Sequence, residues 1–150
     1  MISLVDTHCH LDFKDFDSDR EDVIRRASEA GIKFIINVGS SLEGTRKSMA
    51  LADKHESIYV SIGIHPHDAK ELTDDVLAEF KGLAKHKKVI AVGEVGLDYY
   101  RDLSPREIQR EAFIKFIRLA KETELPLIIH CREAGCDLLK ILKEEIAPPI

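Results

Sequence analysis

Short apolar runs alternate with helix-like segments along the whole chain, and this alternation limits the fold more than any other feature. The runs are rich in Ile and Val and cover residues 2–5, 34–38, 58–64, 89–92 and 127–129. Strands that are apolar on both faces are typical of parallel sheets covered by helices. The sequence therefore predicts an α/β fold built from five βα units.

The segments between the runs carry residues that commonly begin helices. We expect N-cap residues at Ser18, Ser40, Thr73 and Ser104, the last followed by a proline at the first helical position. A final helical pattern begins at Asp137, and the Ala-Pro-Pro of residues 147–149 is expected to end it.

Two architectures fit five βα units: an open doubly wound sheet, or part of a (β/α)8 TIM barrel. A complete barrel usually needs about 250 residues. The 150 residues would therefore supply about five of its eight units. Because no linker or change in composition divides the chain, we expect residues 1–150 to form a single domain without an internal boundary.

Composition excludes several classes of protein. The chain is 44% apolar and 33% charged, as globular proteins are, and no apolar run reaches the length of about 20 residues that a membrane span needs. The three cysteines lack CxxC spacing, which favours a reducing compartment, and with no recognisable signal peptide we expect a cytoplasmic location. A net charge of −5 argues against a tight nucleic-acid binder, but not against an enzyme that contacts nucleic acid briefly.

His8 and His10 follow the first apolar run and are separated by one residue. Side chains alternate along a strand, so both imidazoles should point to the same side. Two neutral imidazoles on one face can hold a divalent ion, although they can also be ordinary polar residues at a strand end.

Other reactive side chains also stand at the carboxyl ends of predicted strands, where α/β proteins place their sites. Glu94 could bridge two metal ions through its two oxygens, or be an exposed loop acid. His130 is either a ligand or a hydrogen-bonded core histidine. His65 could position a substrate or satisfy loop backbone, and Arg132 could bind a phosphate or be a surface charge. Asp98 is expected beside the site.

Four segments resemble motifs of the TatD-type metal-dependent deoxyribonucleases, which belong to the metal-dependent hydrolase superfamily. They are VDTHCHLD at residues 5–12, GIHPH at 63–67, GEVGLDY at 93–99 and IIHCR at 128–132. The resemblance implies a TIM barrel that uses two divalent metal ions (Mg, Mn or Zn) to hydrolyse phosphodiester bonds in DNA, from the 3′ end. DNA would be a transient partner, with no membrane and no obligate protein partner.

The resemblance also assigns roles to residues. His8 and His10 would hold one metal ion, Glu94 would bridge two and His130 would hold the second. His65 and Arg132 would steady the phosphate, which makes them, with Glu94, the expected catalytic residues. The family takes a further histidine and an aspartate from later strands, so the 150 residues are expected to be the N-terminal part of a longer barrel and an incomplete catalyst alone.

Three alternatives stay open at the level of sequence. The same metal-binding barrel could belong to an amidohydrolase or deacylase. Phosphatases of the histidinol-phosphatase type also begin with His-x-His, but further clusters of acids and histidines would be expected for them. The third alternative is a non-catalytic fragment that binds a partner through exposed strand edges.

Overall fold

The computed structural model describes residues 3–146, which form one parallel sheet with helices between its strands. The strands are β1 (Leu4–Cys9), β2 (Ile32–Val38), β3 (Ile58–Ile62), β4 (Val89–Asp98) and β5 (Leu127–Arg132). They lie in the sheet in chain order, each parallel to the next. A doubly wound sheet reverses its strand order near the middle. The order observed here is instead that of a curled half-barrel, part of a (β/α)8 fold.

One helix follows each strand, so the five predicted βα units are confirmed. The helices are α1 (Arg20–Glu29), α2 (Leu42–Lys54), α3 (Asp74–Leu83), α4 (Arg106–Thr123) and α5 (Gly135–Ile146). Short 3₁₀ segments at Lys14–Phe16 and Pro66–Glu71 follow the first and third strands. The predicted stop of the last helix at residues 147–149 lies outside the described residues.

Two of the helix starts follow simple capping chemistry. Thr73 caps α3, as predicted, and its hydroxyl accepts a hydrogen bond from the backbone N–H of Val76 at 3.3 Å. The cap of α2 is Ser41 rather than Ser40, and its hydroxyl accepts from the N–H of Gly44 at 3.0 Å. The predicted cap at Ser40 is therefore wrong by one residue, because the next residue is also a serine that can cap the helix.

The other two predicted caps are wrong. Asp19 rather than Ser18 precedes α1, and its side chain makes no capping bond. Pro105 rather than Ser104 precedes α4, also without a side-chain cap. The hydroxyl of Ser104 is buried and donates instead to the carbonyl oxygen of His67 at 2.7 Å, so it ties the β4–α4 loop to the 3₁₀ segment after β3.

The hydrophobic core lies between the sheet and its helices. Phe80 of α3 and Phe116 of α4 are fully buried and meet edge to face, with their ring centroids 5.5 Å apart. The apolar side chains of the central strand β3 are buried as well. The flanking strands keep apolar side chains exposed, Val5 by 51% and Phe34 by 44%. Packing therefore fixes the middle of the sheet more firmly than its edges.

Within residues 3–146, every helix is too short or too polar to cross a lipid bilayer.

Candidate metal centre

Five side chains come together at the carboxyl ends of four strands of the sheet. Two groups of three have ligand atoms that all lie within 4.8 Å of one another: His8, His10 and Glu94 in one, and His65, Glu94 and His130 in the other. Both groups contain Glu94. The four side chains that sequence analysis assigned to metal binding are therefore neighbours, although they are separated by up to 122 positions in the chain.

His8 and His10 form the part of the site that β1 supplies. Their ring centroids are 5.1 Å apart, and the side chain of His8 is 44% exposed. Nδ1 of His10 lies 2.9 Å from the carbonyl oxygen of Val38, which can only accept a hydrogen bond. The ring of His10 therefore carries its proton on Nδ1 and keeps the lone pair of Nε2 for a ligand.

A buried amide holds the chain directly after His10. The backbone N–H of Leu11 donates to Oδ1 of Asn37 at 2.5 Å. The amide nitrogen of Asn37 donates to Asp12 at 2.8 Å and to the hydroxyl of Ser48 at 2.6 Å. Asn37, in β2, is fully buried. Sequence analysis missed this function, although an asparagine inside an otherwise apolar strand is the signal that could have revealed it.

Glu94 lies in β4 between the two groups of histidines. Its Oε2 is 3.6 Å from Nε2 of His8, and its Oε1 is 3.1 Å from Nδ1 of His130. The side chain is only 14% exposed. Each carboxylate oxygen thus faces a different group, which is the arrangement that a bridging ligand needs.

The close approach of β4 and β5 brings Glu94 and His130 together, and Gly96 permits it. Gly96 has a φ of +143°, and a Cβ atom added there would lie only 2.0 Å from the backbone oxygen of His130. Only glycine fits this contact without moving one strand. The glycine therefore controls the position of His130 relative to Glu94.

His65 lies where β3 leads into the 3₁₀ segment, and its ring faces that of His130. Its Nδ1 accepts a hydrogen bond from the backbone N–H of His67 at 3.3 Å, which leaves the ring proton on Nε2, 3.2 Å from Nδ1 of His130. Burial, followed by repulsion from His130 and His67, lowers the pKa of His65 to about 4. At neutral pH His65 is thus uncharged, with its Nε2–H directed toward His130.

Asp98, at the end of β4, lies behind these histidines with its side chain only 1% exposed. Its Oδ1 accepts from the backbone N–H groups of Tyr100 and Arg101 at 3.1 and 2.8 Å. Its Oδ2 lies 2.8 Å from Nε2 of His67 and 3.1 Å from Nε2 of His130. Burial acts against ionisation, but these four bonds outweigh it and hold the pKa of Asp98 at about 2.

Arg132 is the one predicted site residue that the structure does not bring into the cluster. It ends β5, and the central carbon of its guanidinium lies 3.9 Å from the ring centroid of Tyr100. Tyr100 is 55% exposed, so this pair stands at the rim of the site.

The donor set fits divalent metal ions. Imidazole nitrogens with a shared carboxylate suit zinc and manganese, and His10 presents an unprotonated nitrogen whose orientation a backbone carbonyl fixes. The bare Nε2 of His10 and the carboxylate of Glu94 lie in the same group, and a cation between them would relieve the repulsion of their lone pairs.

Comparison with known proteins agrees with this geometry. The family model described as TatD related DNase matches residues 5–150. An uncharacterized metal-dependent hydrolase of Bacillus subtilis, YabD, is 45% identical over 98% of this chain and 58% of its own length. A protein of Cronobacter sakazakii named 3′-5′ ssDNA/RNA exonuclease TatD is 37% identical over 93% of this chain and 53% of its own length.

The solved structures point to the same group. The crystal structure of YJJV, a TatD homologue of Escherichia coli K12, superposes with a TM-score of 0.86 at 34% identity, over 95% of this chain and 56% of that one. The chain spans about half the length of the curated relatives it matches. From the family match over nearly all of its residues, the chain belongs to the TatD-related DNase family of metal-dependent hydrolases.

Proposed function

We propose that this chain supplies the metal centre of an enzyme that cleaves phosphodiester bonds in DNA from the 3′ end, with two divalent metal ions. The observation that carries the proposal is the pair of ligand groups that share Glu94. Two ions held by a common carboxylate can stabilise both the attacking and the leaving oxygen of a phosphoryl centre. The Cronobacter relative named an exonuclease supports the choice of nucleic acid as substrate.

Each residue has a distinct part in the proposed reaction. Bound metal ions would lower the pKa of a water molecule and polarise the phosphoryl group. Glu94 sets the spacing of the two sites, because its oxygens face His8 and His130 separately. His65 donates the hydrogen on its Nε2 to a phosphate oxygen, and it keeps this hydrogen at neutral pH without adding a charge.

Arg132 has a more peripheral part. Its guanidinium lies over Tyr100 rather than among the histidines. We therefore assign it to the part of the substrate strand away from the scissile bond, where a planar guanidinium can pair with a phosphate.

The test uses the full natural chain and a single-stranded DNA oligonucleotide labelled at its 5′ end, with Mg²⁺, Mn²⁺ or Zn²⁺ and with a chelator. We expect stepwise shortening from the 3′ end that the chelator abolishes. His10→Asn should reduce the rate strongly, because it removes an imidazole ligand. His86→Asn is the matched control, since His86 lies outside the cluster and pairs with Asp53 at 3.5 Å.

Parallel reactions with RNA, a phosphomonoester and an N-acyl amide test the alternatives. Cleavage of the amide together with intact phosphodiesters would favour the amidohydrolase or deacylase reading and overturn the proposal. Equal rates for the His10 and His86 variants would show that the cluster does not carry the activity.

A further inference from the structure

We propose that Asp98 is a positioning residue that fixes the tautomer of His130 and so leaves Nδ1 as its metal-binding atom. The inference rests on the proposed metal centre and extends it to a residue outside both ligand groups. It follows from the hydrogen bonds around one buried carboxylate.

The surroundings of Asp98 make its carboxylate a hydrogen-bond acceptor. Two backbone N–H groups, from Tyr100 and Arg101, point at Oδ1, so this oxygen must accept. Oδ2 has Nε2 atoms of two histidines within 3.1 Å. Two backbone donors favour the ionised form of this carboxylate, and an ionised carboxylate can only accept hydrogen bonds. Asp98 is therefore an acceptor toward His130.

The accepting carboxylate of Asp98 fixes the position of the proton on His130. Because Oδ2 accepts, Nε2 of His130 carries the hydrogen, and the neutral ring then has a bare Nδ1. That atom faces Oε1 of Glu94 at 3.1 Å and the Nε2–H of His65 at 3.2 Å. This assignment satisfies the contacts of His130 with Asp98 and His65. It leaves the lone pair of Nδ1 beside Oε1 of Glu94, a repulsive contact that a bound metal ion would relieve.

The alternatives leave unfavourable contacts. If Nδ1 alone carried the proton, the lone pair of Nε2 would face Oδ2 of Asp98 at 3.1 Å in a buried site. A doubly protonated ring would set its Nδ1–H against the Nε2–H of His65. A carboxylate that directs a ligating histidine in this way also raises the basicity of the nitrogen that binds the metal.

The replacement Asp98→Asn keeps the size of the side chain but reverses its hydrogen bond with His130, so that residue 98 donates to Nε2. An amide has a single oxygen, which the two backbone N–H groups of the β4–α4 loop would retain. Its NH₂ group would then donate to Nε2 of His130 and move the ring proton to Nδ1. The metal-binding atom would be blocked without any loss of volume.

The experiment measures the tautomer and the metal affinity separately, in the full natural chain. ¹⁵N-histidine NMR of the metal-free protein at neutral to mildly alkaline pH, with the signal assigned by His130→Asn, should show the Nε2–H form in the wild type and the Nδ1–H form in Asp98→Asn. Titration calorimetry with Mn²⁺ or Zn²⁺ should show affinity reduced about 10–100-fold in Asp98→Asn. Asp102→Asn is the control, since this exposed acid of the same loop pairs with Arg106 and lies outside both ligand groups.

A wild-type His130 in the Nδ1–H form would overturn the inference, and this measurement needs no variant to fold. An affinity of Asp98→Asn within twofold of the wild type would overturn it too. The tautomer result is independent of the nuclease assay. Failure to cleave DNA would count against the proposed function and leave the positioning function of Asp98 standing.

Discussion

The two halves of the candidate site are held in different ways. The first-strand half consists of His8 and His10, and the buried half consists of Glu94, Asp98 and His130. The side chain of His8 is 44% exposed, whereas those of Glu94, His130 and Asp98 are 14%, 21% and 1% exposed. One side of the site is therefore open to solvent and the other is part of the protein interior.

The means of support differs as well. In the first-strand half, Asn37 holds the backbone at Leu11, and a carbonyl oxygen orients His10. In the buried half, the carboxylate of Asp98 contacts the ring of His130 directly. The rings of His10 and His130 are both held by a hydrogen bond, but His8 is 44% exposed and keeps more freedom to rotate than the side chains of the buried half. We expect the buried half to be the more preorganised and to bind its metal ion more tightly.

The largest effect should come from Glu94, the residue of the buried half whose carboxylate also faces His8 of the first-strand half. Glu94→Gln removes the second anionic oxygen, so we expect activity to fall by more than the roughly 10–100-fold typical of a change behind a ligand. Metal content by mass spectrometry should fall in both halves. Glu107→Gln is the control, because Glu107 is an exposed partner of Arg110 on α4. A drop no larger than that of Asp98→Asn would argue against a bridging Glu94.

A smaller effect, confined to the buried half, is expected for Gly96→Ala. The added Cβ would meet the backbone oxygen of His130 at 2.0 Å, so β5 must move away from β4. We expect a loss of at least about 2 kcal/mol in the free energy of unfolding, with weaker metal binding at His130. Thermal and calorimetric measurements would record both.

Gly82→Ala is the matched glycine control. Gly82 lies in α3 with nothing within 4 Å of the added Cβ, so this change should stabilise the helix by about 0.5–1 kcal/mol. If Gly96→Ala were equally harmless, the close contact between β4 and β5 would not be what places His130.

The corresponding change in the first-strand half is Asn37→Ala. It leaves the N–H of Leu11 without its buried acceptor, and each such group costs about 1–3 kcal/mol. We expect denaturant unfolding to show this loss, with metal affinity reduced by less than in Gly96→Ala. Ser48→Ala removes the hydroxyl that accepts from Asn37 and donates to Gly44, but it leaves the N–H of Leu11 paired, so metal affinity should fall less. Equal losses of metal affinity for both would mean that the network does not hold the His-x-His segment.

The smallest effect is the acid dependence that Asp98 contributes. Its pKa is about 2 in the folded chain and 3.8 ordinarily, so protonation favours the unfolded state. The stabilisation is present above about pH 4, amounts to roughly 2 kcal/mol, and is lost as pH falls toward 2. Unfolding free energies of the wild type and Asp98→Asn should therefore converge at low pH. If the difference in unfolding free energy between the two proteins stayed the same at every pH, Asp98 would not contribute to the acid dependence.

Sequence patterns were sufficient to predict the order of the elements, because the apolar run and the helical pattern of each βα unit lie within one short stretch of sequence. The apolar runs at residues 34–38 and 58–64 became β2 and β3 with little change in bounds. β4 is longer than predicted, reaching Asp98, because Gly93 and Gly96 do not end the strand but allow it to approach β5 closely. A glycine in a sequence can mark either the end of a strand or a close approach of two strands. The position of the neighbouring strand distinguishes the two cases.

The sequence could predict which of these side chains lie together, but it could not predict the hydrogen bonds between them. His8, Glu94 and His130 stand at strand ends, and parallel strands bring such ends together. The bonds of Asp98 to His67 and His130 span 31 and 32 residues, and no local pattern specifies them. The stacking of Arg132 on Tyr100 could not be predicted from the sequence either, because it depends on the path of the loop after β4.

Because Glu94 belongs to both ligand groups, the two proposed metal sites cannot be thermodynamically independent. An ion bound beside His8 draws on the same negative charge that would attract an ion beside His130. By reciprocity, each ion changes the affinity for the other by the same factor, whichever binds first. Like-charge repulsion across one carboxylate makes this coupling free energy unfavourable. At limiting metal, the protein would therefore hold one ion in the buried half, with the first-strand half filled only as the concentration rises.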